Sequence, residues 1–200
     1  MPAAGGREQL LLASPQEKTA TDWSADGEHV LFDSRDFNRL SDIWALPMNG
    51  SGKPFPVVNT DFEEVRAQFS PDGPWIAYQS DESGRPEIYL QRFPGAWGKQ
   101  RVSTNGGSQV RWRRNGSELF CVAPDGRLMA VRVGLRLGVR RPDLGTPVEL
   151  FATTLGGAMH RGDHRHQYAV ASDGQRFLVA TVGQAADASI TVILNWTPRP

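Results

Sequence analysis

The chain has 200 residues, with 22 Lys and Arg against 22 Asp and Glu, so its formal net charge is zero. That length holds one ordinary domain or two very small ones, and the balance argues against nucleic acid as a partner, because such domains carry a basic face. A hydrophobic fraction of 39% with 22% charged residues is too apolar and too neutral for disorder. No apolar run approaches the roughly 20 residues of a membrane span. Residues 1–6 lack the basic and apolar regions of a signal peptide. The one cysteine, Cys121, excludes an internal disulfide and a multi-cysteine zinc site, and in its apolar run it reads as a small buried hydrophobe. With 21 Gly, 14 Pro and six Trp, the composition points to many turns between short strands, hence to an all-β chain.

In chain order, the first feature is an orphan apolar run, Gln9-Leu10-Leu11-Leu12-Ala13, within residues 8–14. Then comes a unit that recurs four times. Its copies are centred on Ser24-Ala25-Asp26-Gly27, Ser70-Pro71-Asp72-Gly73, Arg113-Arg114-Asn115-Gly116 and Ala171-Ser172-Asp173-Gly174. An apolar residue (Trp23, Phe69, Trp112, Val170) stands three positions before each Asp or Asn, and an apolar triplet starts three after each Gly, at Val30, Ile76, Leu119 and Phe177. The Asp/Asn positions lie 46, 43 and 58 residues apart. Asp-Gly or Asn-Gly between two β-prone runs is a tight-hairpin signal, because Gly tolerates the positive φ that the turn requires. The repeated Asp therefore reads as turn chemistry rather than as calcium or acid–base chemistry.

Further strand-like runs follow each hairpin: residues 42–46 and 53–58 after the first, 87–93 and 100–103 after the second, 128–133 and 148–151 after the third. Four short antiparallel strands per repeat make the blade of a β-propeller. The expected blades are residues 20–60, 65–104, 108–153 and 166–197, forming a single propeller region over 1–200. Trp23, Phe69 and Trp112 occupy one blade position and are expected to pack between blades.

The stretch Ser70-Pro71-Asp72-Gly73, Ile76-Ala77-Tyr78, Ser80-Asp81-Glu82-Ser83-Gly84 and Glu87-Ile88-Tyr89-Leu90 resembles the WD40-like (PD40) repeat of TolB-type propellers. The likeness runs from about Glu8 to Trp196. More narrowly, Arg92-Phe93-Pro94-Gly95, Arg111-Trp112-Arg113-Arg114-Asn115-Gly116 and Ile190-Thr191-Val192-Ile193-Leu194-Asn195-Trp196 resemble propellers that follow a bacterial serine/threonine kinase domain, where the propeller serves a sensory or scaffolding role. This resemblance implies more blades than 200 residues supply. The fourth blade stops one strand short. Residues 8–14 could close a small ring as its missing outer strand, or could be left over from a lost blade in an open arc. The open arc is favoured because the relatives continue N-terminally. TolB-like relatives imply a periplasmic or extracytoplasmic setting for a longer exported protein and a cytoplasmic one otherwise.

Catalytic signatures do not fit. The sequence holds no Gly-x-Ser-x-Gly elbow, no kinase loop set and no phosphate-binding P-loop. No cofactor is expected. His160, Asp163, His164 and His166 lie within seven residues, enough in number for a metal. The interleaved Arg161 and Arg165 and the Gly-rich surroundings make a solvated loop the simpler account. Arginines between residues 127 and 141 and around Trp112 are most simply solvent-facing strand positions. The remaining candidates are loops: residues 34–41, 59–64 and 80–86. They carry Arg35, Asp36, Arg39, Asp61, Glu64, Asp81, Glu82 and Arg85, a mixed-sign surface suited to a protein or peptide. The expectation is a non-catalytic propeller module for protein or peptide binding. The alternative is the accessory propeller of a kinase or peptidase whose catalytic domain lies elsewhere.

Overall fold

A computed structural model describes residues 8–37, 39–50, 52–95, 97–135, 140–153, 155, 166–181 and 189–193. They form sixteen strands in four antiparallel sheets. The first holds β1 (Glu17–Trp23), β2 (His29–Arg35), β3 (Ser41–Pro47) and β4 (Phe55–Val58) in that spatial order. The second holds β5 (Glu64–Phe69), β6 (Trp75–Ser80), β7 (Glu87–Arg92) and β8 (Gln100–Arg101). In the third, β9 (Ser108–Trp112), β10 (Glu118–Val122) and β11 (Arg127–Gly134) follow in order. There β11 pairs with both β12 (Asp143–Leu144) and β13 (Val148–Ala152). The fourth is β14 (Tyr168–Val170), β15 (Phe177–Thr181) and β16 (Ser189–Ile193). The sheets are the blades of an open partial propeller.

The hairpin between the first two strands of each blade shows why the repeat looks as it does. The amide of Gly27, Gly73, Gly116 or Gly174 donates to the carbonyl three residues earlier, at 2.9 Å in all four copies. The residue that accepts (Ser24, Ser70, Arg113, Ala171) donates its own amide to the carbonyl five residues later, at 2.7–2.9 Å. These glycines have φ of 78°, 92°, 73° and 68°, where a Cβ is unfavourable. Asp26, Asn115 and Asp173 each accept the amide two residues on, at 2.9, 3.1 and 2.9 Å. The repeated acid or amide is thereby spent on the turn.

Blades stack through three apolar layers. Leu31, Ile43, Ala45 and Val57 of the first meet Ala67, Phe69, Ile76 and Tyr78 of the second. Trp75, Ala77, Ile88 and Leu90 on the other face of the second meet Val110, Leu119, Cys121 and Val131 of the third. Phe120, Val122, Leu128 and Ala130 then meet Tyr168, Phe177 and Val179 of the fourth. Cys121 is buried in the middle layer, and burial pushes its thiol up to about 12. The inner edge of the arc is built from first strands, with β1 on β5, β5 on β9 and β9 on β14.

Residues 8–14, expected as an orphan outer strand, form no strand and join no sheet, which leaves the favoured open arc in place of a ring closed by this run. A strand needs a partner's edge, and this segment crosses a sheet face instead: Leu12 and Ser14 line a hollow of about 410 Å³ over Phe32 and Trp44 of the first blade, with Leu10 left 80% exposed. Trp23 does not pack between blades either. It is 57% exposed while Phe69, at the same repeat position, is 6% exposed. The difference is the neighbour, because Phe69 lies in the layer between the first and second blades and no described sheet covers Trp23 in the same way.

Candidate functional site

The β2–β3, β4–β5 and β6–β7 connections gather at one end of the arc, and one carboxylate ties them together. Glu63 accepts from the amide and hydroxyl of Ser41, both at 3.1 Å, while its own amide donates to Asp81 Oδ1 at 2.9 Å. Around this junction Arg35, Asp36, Arg39 and Asp61 are exposed, whereas Asp81 and Glu82 are half-buried. Several of these charges are already engaged. Glu82 is ion-paired with Lys99, which also lies over the Tyr89 ring. Arg85 donates to Glu87 at 3.0 Å and to the Thr104 carbonyl at 2.9 Å.

Glu64 departs from its expected place on the exposed loop. It starts β5 and is 0% exposed. Its carboxylate accepts from the Thr60 hydroxyl and, at 3.3 Å, from the Thr60 amide. Burial raises it to about 7, with the Asp42 charge adding to the rise. Asp42 is itself shifted upward by burial. Glu63, the group that joins the loops, was missed in sequence because a Glu-Glu pair at a strand start does not reveal which member turns inward.

Deeper on the inner edge, the first strands carry a second polar constellation. Each of β1, β5 and β9 has a bulge, at Thr21, at Arg66–Ala67 and at Gln109–Val110. Arg66 and Gln109 hold φ of 61° and 55°, rare for side chains with a Cβ. The bulges are tied from blade to blade. Asp33 accepts the Arg66 amide with both oxygens, at 3.0 and 3.1 Å, and Asp22 accepts the Phe69 amide at 2.8 Å. Gln109 and Gln167 pair through two hydrogen bonds, of 3.0 and 2.7 Å, and the Tyr168 hydroxyl donates to the Gln109 carbonyl at 2.8 Å.

Of the histidine cluster, His160, Asp163 and His164 lie outside the described residues. His166 leads into β14, and burial together with the Arg111 and Arg66 charges pulls its imidazole down to about 3, so the ring is neutral. Among the described residues no group of three or more His, Cys, Asp or Glu is placed to hold a metal, and no helix is long and apolar enough to cross a membrane.

No family model and no curated protein sequence matches the chain. Solved structures do. TolB from Acinetobacter baumannii superposes with a TM-score of 0.62 at 17% identity, covering 88% of this chain and 40% of that one. The fold is a β-propeller. A putative TolB from Agrobacterium tumefaciens matches with a TM-score of 0.55 at 18% identity, over 76% of this chain and 55% of that one. The Cps50 (Swd1) β-propeller domain of Myceliophteria thermophila matches with 0.54 at 10% identity, over 92% and 71%. At such identities the likeness speaks for fold alone. The chain spans about half or less of the length of the two TolB structures it resembles.

Proposed function

We propose that this chain is a non-catalytic β-propeller module that binds a protein or peptide at the loop end of the arc. The observation that carries this reading is the Glu63 junction: the carboxylate and amide of one residue hydrogen-bond the β2–β3, β4–β5 and β6–β7 connections of two blades to one another. A preorganised surface loses little ordering entropy on binding. Its rim of Arg35, Asp36, Arg39 and Asp61 offers both signs of charge to a polar partner. The TolB-like fold fits such a role, and the motifs at residues 92–95, 111–116 and 190–196 favour its place as the sensory region of a longer kinase protein.

The test is capture from an extract of the source organism, with the wild-type chain set beside a variant carrying Arg39→Glu and Asp61→Lys. A band held by the wild type at physiological salt and lost by the folded variant supports the reading. No retained band, or one indifferent to the variant, overturns it.

A further inference from the structure

The β7–β8 connection of the second blade meets the segment that leads into β12 of the third, at the seam between those blades. This seam lies at the opposite end of the strands from the Glu63 junction, because the β6–β7 and β7–β8 connections join opposite ends of β7. Two contacts hold it. Gln100 Nε2 donates to the Pro142 carbonyl at 3.0 Å. Gly98, at a φ of 74°, sits so close to the Arg140 carbonyl that a Cβ would stand 2.5 Å from its oxygen, so glycine is what lets the two segments approach.

The approach sets an aromatic ring beside two guanidiniums. Trp97, Gly98, Arg140 and Arg141 line one hollow of about 530 Å³. Trp97 is 47% exposed, and Arg140 and Arg141 are exposed. The Trp97 ring is held from the protein side. The Arg92 guanidinium lies over it, 4.6 Å from the centroid, and the buried Trp75 meets it edge to face with centroids 6.4 Å apart. The Trp97 carbonyl also accepts the Arg92 amide at 3.1 Å. The indole is thus fixed in place with almost half of its surface left to solvent. Charge is a separate observation. Among the described residues, no ion pair engages Arg92, Arg140 or Arg141. On a chain of zero net charge, three guanidiniums gather at this hollow and its Trp97 wall without a carboxylate to neutralise them.

Unpaired guanidiniums call for an anion, and their forked N–H donors match the oxygens of a phosphate. A half-exposed indole calls for a flat ring to stack on it. The hollow is larger than a bare anion needs and falls within the range of small-molecule sites. We propose that the seam between the second and third blades binds an aromatic ring that carries a phosphate, the chemistry shared by a nucleotide and a phosphotyrosine side chain. The ring stacks on Trp97, Arg140 and Arg141 take the phosphate, and Arg92 backs the indole and adds positive charge. The site uses no residue of the Glu63 junction, so either can exist without the other.

The experiment is calorimetric titration of the whole chain at fixed ionic strength with AMP, O-phosphotyrosine, adenosine and inorganic phosphate. AMP, phosphotyrosine or both are expected to bind about tenfold or more tightly than adenosine and inorganic phosphate, and which of them does so identifies the source of the ring. Trp97→Ala is expected to weaken that binding about tenfold by removing the stack. Arg140→Gln together with Arg141→Gln is expected to weaken it by about tenfold or more. The exposed control Arg127→Gln is expected to leave it unchanged. The Tm of each variant reports whether it folds, and should Trp97→Ala not fold, the exposed arginine pair decides alone. No binding of either ring phosphate at about 1 mM overturns the site. So does adenosine or inorganic phosphate binding as tightly as the ring phosphates, or folded variants that bind as the wild type does.

Discussion

The first and second blades are built from the same repeat and end up as different objects. In the second, every residue of β5 and β6 is buried. In the first, no residue of β1 is fully buried, and β3 alternates between buried and half-buried positions. Neither strand chemistry nor turn chemistry explains this. The second blade has an apolar layer on each face, whereas the first has one layer and a hollow on the other side. Burial in a propeller belongs to pairs of blades, so a residue's value is set by what lies opposite it.

The largest expected effect follows directly. Ile76→Ala on β6 removes a 0% exposed side chain from the layer between the first two blades and should cost about 2–5 kcal/mol. Trp23→Ala, a larger deletion at an exposed site, should cost no more than about 0.5 kcal/mol. Urea midpoints at fixed protein concentration measure both. Equal losses would break the account of burial by neighbours.

Next in size is the polar tie between those blades. Asp33→Ala leaves the buried Arg66 amide without the two oxygens it donates to and is expected to cost about 1–3 kcal/mol. Asp36→Ala is the exposed counterpart, at the loop that β2 leads into, and should stay within about 0.5 kcal/mol. A loss below that level for Asp33→Ala would mean that the bulge does not depend on its cross-blade acceptor.

The sequence disclosed the blades well and the site poorly, for one physical reason. Asp-Gly and Asn-Gly turns are local, so four copies could be placed from residues alone, and the glycines at positive φ sit where that pattern puts them. The pairing of β11 with both β12 and β13 was not legible, because a two-residue strand carries no alternation to read. Nor was the split fate of Trp23 and Phe69, or the inward turn of Glu64, since each is decided by an opposing blade.

The pH dependence of stability separates the loop end from the inner edge. Glu64 is raised from 4.5 to about 7 in the folded chain. The folded state therefore holds its proton more tightly than the unfolded chain, and Glu64 subtracts stability as pH rises from about 4.5 to 7. His166 works in the opposite sense. Lowered from 6.5 to about 3, it contributes stability above 6.5 that is lost progressively as pH falls through that value towards 3. Glu64→Gln should remove the decline as pH rises from about 4.5 to 7, and His166→Gln should relieve the loss as pH falls from about 6.5 towards 3. Unchanged slopes of the urea midpoint between pH 4.5 and 7 would contradict both assignments.

The smallest effect is the one in which the two blades should agree. Gly27 and Gly73 hold φ of 78° and 92° with open space where a Cβ would sit, so substitution meets backbone strain and no clash. Gly27→Ala and Gly73→Ala should therefore each cost about 1–2 kcal/mol, with no preference for the more buried blade. The hairpin is a local device, made by the chain's own amides and carbonyls, and it is indifferent to the neighbour that decides everything about Ile76 and Trp23. If Gly73→Ala were the costlier by more than about 1 kcal/mol, turn strain would be coupled to blade packing, and the division between local turns and shared layers would have to be given up.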